Sequence, residues 1–288
     1  MTYDSLDWRL DEDGVGLLTL DRPDRLNAMN WQVAEEIETF FRTDALSDEV
    51  RAIVVTGAGR AFSAGADLDA AEQVFAYDRS LLEILDKFRE RYDQPPYQQK
   101  VRDGGGRMTL AINAVPKPVI AAINGPAVGF GATMTLAMDA RLMSSAARIG
   151  FVFGRIGLVP EAASSWFLPR IVGLARSLEL VYTADIIDAS LALQYGLVRS
   201  VHEPDRLVEE AMIFARRCTS DRSPYATGLT KRLVYHGAGA GDPLEAHLSD
   251  SLATYWASLV DAQEGIAAFQ EHRRPRFTGR ASDIPDLF

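Results

Sequence analysis

The chain has 288 residues, 47% of them hydrophobic, enough for a sizeable core in one large domain or in a domain with a smaller appendage. Thirty basic against forty acidic residues leave a net charge of −10, which argues against a nucleic-acid surface but not against a local basic pocket for an anion. A single cysteine, Cys218, excludes an internal disulfide and a thiolate metal site, and the four histidines (His202, His236, His247 and His272) lack metal-ligand spacing, so no metal is expected. "MTYDSLDWRL" lacks a basic start followed by an apolar run, and no apolar run is long enough to span a bilayer. A soluble, cytoplasmic protein is the expectation.

In chain order, "GVGLLTLDRP" alternates and ends in a turn, as a strand does. "WQVAEEIETFF" places Val33, Ala34, Ile37, Phe40 and Phe41 on one helical face. "VRAIVVTGAG" is a short apolar strand running into glycines. Residues 81–92 read as a charged amphipathic helix, and "DQPPYQQKVRDGGGR" as a loop or mobile lid. "KPVIAAIN" is a buried strand that runs through "GPAVGFG" into "ATMTLAMDA", a helix apolar on nearly all sides. "RLMSSA" is a further strand. Strand, glycine turn and helix repeat, which predicts a layered α/β arrangement. After about residue 200 only helices are predicted. There Leu244, Leu248, Ser251, Leu252 and Tyr255 form one stripe, and Asp261 with Glu264 forms a helix-start signature.

Two glycine turns carry chemistry: "GAGRAFSAGADL" (57–68) and "NGPAVGFGATM" (124–134). Glycines let backbone N–H groups approach a ligand, although each turn alone is also compatible with an ordinary tight turn. Neither is a Walker A loop, neither fits G-x-G-x-x-G, and no G-x-S-x-G nucleophile elbow is present. A third stretch, "IGLVPEAASSW", holds one acid, Glu161, in apolar surroundings. Two readings are open for it. It is an acid at a helix start, following Pro160, or a general base kept in a dry pocket.

In order along the chain, "RPDRLNAM", "GAGRAFSAGADL", "NGPAVGFGATM", "RIGLVPEAASSWFLPRIVG", "ADIIDASLALQYGLVRSV" and "EGIAAFQEHRRPRFTG" resemble the crotonase, or enoyl-CoA hydratase/isomerase, family from about Leu17 to Gly279. The resemblance implies an α/β fold with a ββα spiral core over residues 1–200 and a C-terminal helical trimerisation region over 201–288. It implies an acyl-CoA substrate, no cofactor beyond the coenzyme A carried by that substrate, and a homotrimer or hexamer. It places two oxyanion N–H donors at Ala66 and Phe130, and coenzyme A contacts at Arg25, Ala28, Ala64, Ala66, Asp67 and Leu68. Phe269, His272 and Arg273 are candidates for further coenzyme A contacts from the tail, with a solvated basic end as the alternative.

The family's hydratases carry two glutamates, at positions occupied here by Thr133 and Phe153. Glu161 matches instead the single glutamate of the family's Δ3,Δ2-enoyl-CoA isomerases. The expected activity is therefore transfer of a 3-enoyl-CoA double bond to 2-enoyl-CoA. The alternatives are hydration or another crotonase lyase or hydrolase reaction, and a non-catalytic acyl-CoA-binding protein. Asp67 and Asp69 are weaker candidates for the base, and the segment 70–107 is expected to shape the acyl pocket.

Overall fold

The computed structural model describes residues 2–67 and 78–288. Nine strands lie within them: β1 (Leu6–Leu10), β2 (Val15–Leu20), β3 (Ala52–Gly57), β4 (Val119–Ile123), β5 (Ala127–Val128), β6 (Ala140–Ser144), β7 (Arg148–Gly150), β8 (Ile186–Asp188) and β9 (Ser200–His202). The larger sheet has the order β1-β2-β3-β4-β6-β9, antiparallel only between β1 and β2; β5, β7 and β8 form a second, smaller sheet.

The central strands are buried on both faces, as near-continuous apolar runs require. Side chains alternate across a strand, so β3 sends Ile53 and Val55 to one face and Ala52 and Val54 to the other. Helix α1 (Trp31–Arg42) covers the first face with Val33, Ile37, Phe40 and Phe41, all five residues read from its periodicity are buried, and Asn30 caps it by accepting from the Val33 N–H. Burying a side chain such as Phe40 contributes on the order of 2 kcal/mol.

Between β3 and β4 lie α2 (Leu85–Arg89), α3 (Pro95–Lys100) and α4 (Gly104–Ala114). The single helix expected over 81–92 shrinks to α2, and Leu82, Ile84 and Leu85 stay exposed. The loop or lid expected over 93–107 is largely helical. Pro95 begins α3, and Asp103 caps α4 by accepting from the Gly106 N–H. Each glycine in the first turn of α4 costs about 1 kcal/mol relative to alanine, offset by burial of Met108, Ala111 and Ile112 in the core.

The glycine-led helix after β5 is as buried as its composition predicts, but short. It is one turn, α5 (Phe130–Thr133), continued by a 3-10 segment over Met134–Ala137. Helices α6 (Ser164–Val172), α7 (Leu174–Thr183) and α8 (Ala189–Gln194) precede β9. The boundary drawn at 200/201 falls inside β9, whose register with β6 pairs Val201 with Met143. Helix α9 (Leu207–Thr219) then lays Leu207, Ala211 and Ala215 on the second face of the larger sheet, so it belongs to the core.

The remaining helices are α10 (Pro224–Gly237), α11 (Pro243–Val260) and α12 (Ala262–Gln270). The stripe read on α11 exists, but Leu244, Leu248, Leu252 and Tyr255 are exposed rather than buried. Asp261 does not cap α12 with its side chain. It is buried, accepting from Ser223 Oγ at 2.6 Å and from the Thr278 and Gly279 N–H groups, and so fastens the final segment to α10. No helix among the described residues is long and apolar enough to cross a membrane, and no cluster of three metal-ligating side chains occurs there.

Candidate active site

Parallel pairing sets the site. β3 and β4 run side by side, with Val55 opposite Ala121, so their C-terminal ends emerge together at one edge of the sheet. The two glycine turns leave from those ends. Asn124 ties them, accepting from the Gly57 N–H at 3.1 Å and donating to the Gly57 carbonyl at 2.9 Å. Beyond that point the turns dock backbone to backbone. The Ser63 N–H donates to the Pro126 carbonyl and the Val128 N–H to the Ser63 carbonyl. Gly65 adopts φ +92°, and a Cβ there would sit 2.7 Å from the Val128 carbonyl oxygen and 3.7 Å from the Phe130 nitrogen. Only glycine allows this approach. Ala66 and Phe130 follow directly from this junction. Neither backbone N–H donates to a protein acceptor among the described residues.

Glu161 lies before α6, not in its first turn. Two consecutive alanines, Ala162 and Ala163, intervene with φ of 57° and 53°. Left-handed backbone at alanine costs of order 1–2 kcal/mol per residue and persists only where the surroundings enforce it. The turn directs the Glu161 side chain inward. The residue as a whole is half-buried, but its carboxyl is packed away from water. Thr133 Oγ1 of α5 donates to Glu161 Oε1 at 2.6 Å. Burial raises the Glu161 carboxyl from its ordinary range to about 8. The Thr133 hydroxyl opposes the rise, and the neighbouring Asp103 carboxylate adds to it.

The position matched to a family glutamate at Thr133 thus carries the hydrogen-bond donor to Glu161. The matching position at Phe153 is a buried ring. Another acid, Asp103, lies near Glu161. Asp103 accepts from the N–H groups of Gly106 and of Ala162, the latter at 3.3 Å and next to Glu161 in the chain, and its carboxylate adds to the upward shift of Glu161. Gly105 makes the approach possible: a Cβ there would overlap both Glu161 Oε2 and the Phe130 ring. Asp103 was missed because "RDGGGR" reads as loop; the available signal was an N-cap aspartate followed by apolar Met108, Ala111 and Ile112.

The other expected site residues divide. Ala64 and Ala66 are partly exposed on the first turn, and Ala28 is buried beside it. Arg25 is exposed at the end of a 3-10 turn, Pro23–Arg25. Asp67 is buried and paired with Arg22 at 3.2 Å, and Arg22 also donates to the Ala28 carbonyl. That pairing fixes the turn. Asn27, not singled out in the sequence, pins "RPDRLNAM" to the first turn by donating to the Ala58 and Ala61 carbonyls. Leu68 and Asp69 lie outside the described residues. In the tail, Phe269 is 82% exposed, His272 is exposed with φ 54°, and Arg273 is held by Glu264 and Glu271 at 2.6 Å each. Arg107, at the end of the segment expected to shape the pocket, instead ties α4 to α1 through Glu38 at 2.7 Å.

A sequence model described as enoyl-CoA hydratase/isomerase matches residues 11–280. A probable enoyl-CoA hydratase of Rhodobacter capsulatus is 36% identical over 283 residues, covering 97% of this chain and 100% of that protein. The 1,2-epoxyphenylacetyl-CoA isomerase of Escherichia coli is 29% identical, covering 93% and 97%. Among solved structures, a probable enoyl-CoA hydratase/isomerase from Mycobacterium abscessus superposes with a TM-score of 0.82 at 29% identity, covering 96% of this chain and 99% of that one. An enoyl-CoA hydratase from Bacillus anthracis gives 0.81 at 28% identity, covering 96% and 100%. With this fold and this match along nearly its whole length, the chain belongs to the enoyl-CoA hydratase/isomerase family, the crotonase superfamily of enzymes.

Proposed function

We propose that the enzyme moves the double bond of a 3-enoyl-CoA to the 2-position, with Glu161 as its single base and no cofactor beyond the substrate's own coenzyme A. The observation that carries this reading is a packed carboxyl hydrogen-bonded to Thr133, with Phe130 against the same glycine, Gly105. Glu161 takes a proton from C2. The charge that develops on the thioester oxygen is met by the Ala66 and Phe130 N–H groups, which have no protein acceptor among the described residues. Losing one such donor typically costs on the order of 100- to 1000-fold in rate. Glu161 then returns the proton at C4; both carbons lie on one face of the allylic unit. A base whose affinity for protons is raised by burial suits removal of a weakly acidic C–H proton near neutral pH.

Arg25, with Ala28 and Ala64 beside it, is assigned to the phosphate and adenine of coenzyme A. The exposed Phe269 and Arg273 are assigned to the same ligand across a subunit boundary, in a trimer or hexamer that covers the stripe on α11. A second reading is favoured by Asp103. With Glu161 it supplies two acids, so hydration of a 2-enoyl-CoA has the groups it needs, and relatives named enoyl-CoA hydratases point the same way. The deciding experiment supplies 3-enoyl-CoA and crotonyl-CoA separately, with absorbance and mass as readouts. Conversion of the first without a mass change supports isomerisation. Addition of water to the second at comparable or greater rate favours hydration and overturns the first reading.

A further inference from the structure

We propose that Asp103 is the second acid of this site, a positioning residue that holds one proton jointly with Glu161 and thereby makes Glu161 a stronger base than a solitary carboxylate. The proposal rests on the assignment of Glu161 as the base. Asp103 is fixed from two sides, accepting from Gly106 at the start of α4 and from Ala162, the residue next to Glu161. Both bonds, at the start of an eleven-residue helix, fix where the Asp103 carboxyl sits. The missing Cβ of Gly105 lets Glu161 Oε2 close against the same helix end. Two carboxyls so placed cannot both ionise without repulsion, so one proton stays between them. Burial and the neighbouring Asp103 carboxylate both favour the protonated form of Glu161; that proton passes to solvent before turnover, and the freed Glu161 takes the C2 proton with a higher affinity than a solitary carboxylate has.

No cation neutralises the pair among the described residues named around it. Arg107 of α4 is committed to Glu38, Arg170 of α6 stacks on the Trp166 ring at 4.0 Å, and Arg155 in the preceding turn lies 3.9 Å from Asp185. From α5 the only polar side chain that reaches Glu161 is the Thr133 hydroxyl.

Asp103→Asn tests the idea, because asparagine caps a helix as well as aspartate does but carries no charge. The acid limb of the kcat/KM profile for a 3-enoyl-CoA should move down by about one pH unit, and the alkaline plateau should fall several-fold, with KM within about twofold. A purely structural cap would leave the limb in place. A carbon-13 titration of protein carrying labelled glutamate reads the same midpoint without turnover, with Glu161→Gln identifying the resonance. If Asp103→Asn does not fold, Asp103→Ser, another neutral cap, replaces it. An unmoved Glu161 resonance in the neutral variant overturns the proposal even where Glu161→Gln is inactive. A resonance that moves while Glu161→Gln keeps its turnover upholds the pairing and removes Glu161 as the base.

Discussion

The surroundings of Glu161 and the outer face of α11 break the usual partition in opposite directions. At Glu161 a carboxyl is packed among Phe130, Gly105 and Thr133, where burial raises it to about 8. On α11, Leu244, Leu248, Leu252, Tyr255 and Leu259 are each more than 40% exposed. A stable fold requires neither. An isolated buried carboxyl costs free energy, and a contiguous apolar stripe in water forgoes the gain from burial. The two departures differ in what resolves them. The Glu161 carboxyl finds its partners within the chain, the Thr133 hydroxyl and the Asp103 carboxylate. Among the described residues the α11 stripe has no such complement, and the proposed oligomer is what would cover it.

Glu161→Gln probes the first region hardest. It keeps shape and removes the base, so turnover of a 3-enoyl-CoA should fall by roughly 100- to 10,000-fold while acyl-CoA affinity stays within a few-fold; near-parent turnover would leave the carboxyl without a catalytic role. Gly65→Ala comes next. A Cβ 2.7 Å from the Val128 carbonyl must displace the turn that carries Ala66, and loss of that donor predicts a fall of about 100-fold in kcat, read by single-turnover kinetics. An unchanged kcat would detach Ala66 from the chemistry.

The second region is tested by Leu248→Asp combined with Leu252→Asp. Two charges on a covered apolar stripe should convert an oligomer to monomer at micromolar concentration, as seen by sedimentation. An unaltered sedimentation coefficient would show that the stripe is not the interface. Thr133→Ala should act more gently. It removes the bond that opposes the rise of Glu161, so the acid limb moves to higher pH and the rate at neutral pH drops about tenfold. Thr133→Ser should restore both.

The smallest effect is on stability. Glu161 binds its proton more tightly folded than unfolded, so its contribution is fully present below the ordinary glutamate range and is lost as pH rises toward 8. Glu161→Gln should therefore gain on the parent between pH 5 and pH 9, by about 3 °C or more in Tm at the alkaline end. Parallel melting curves would mean that the carboxyl is not buried in solution.

Much of this protein is written in local sequence. The apolar runs of β3 and β4 and the five-residue face of α1 emerge as read, because strand and helix periodicities impose their own burial patterns. The order of the glycine turns and of "GLVPEAASSW" identifies the family, since those backbones admit few alternatives. The sequence also singled out Glu161. Tertiary structure alone decided what surrounds it. Asp103 lies 58 positions upstream in a stretch that reads as loop, and it reaches the site because Met108, Ala111 and Ile112 pull α4 onto the core. Thr133 becomes the partner of Glu161, and Asp67 that of Arg22, only when parallel pairing brings the turns together at one sheet edge. Proton affinity and hydrogen-bond pairing depend on distances between residues far apart in the chain, and periodicity carries no information about those distances.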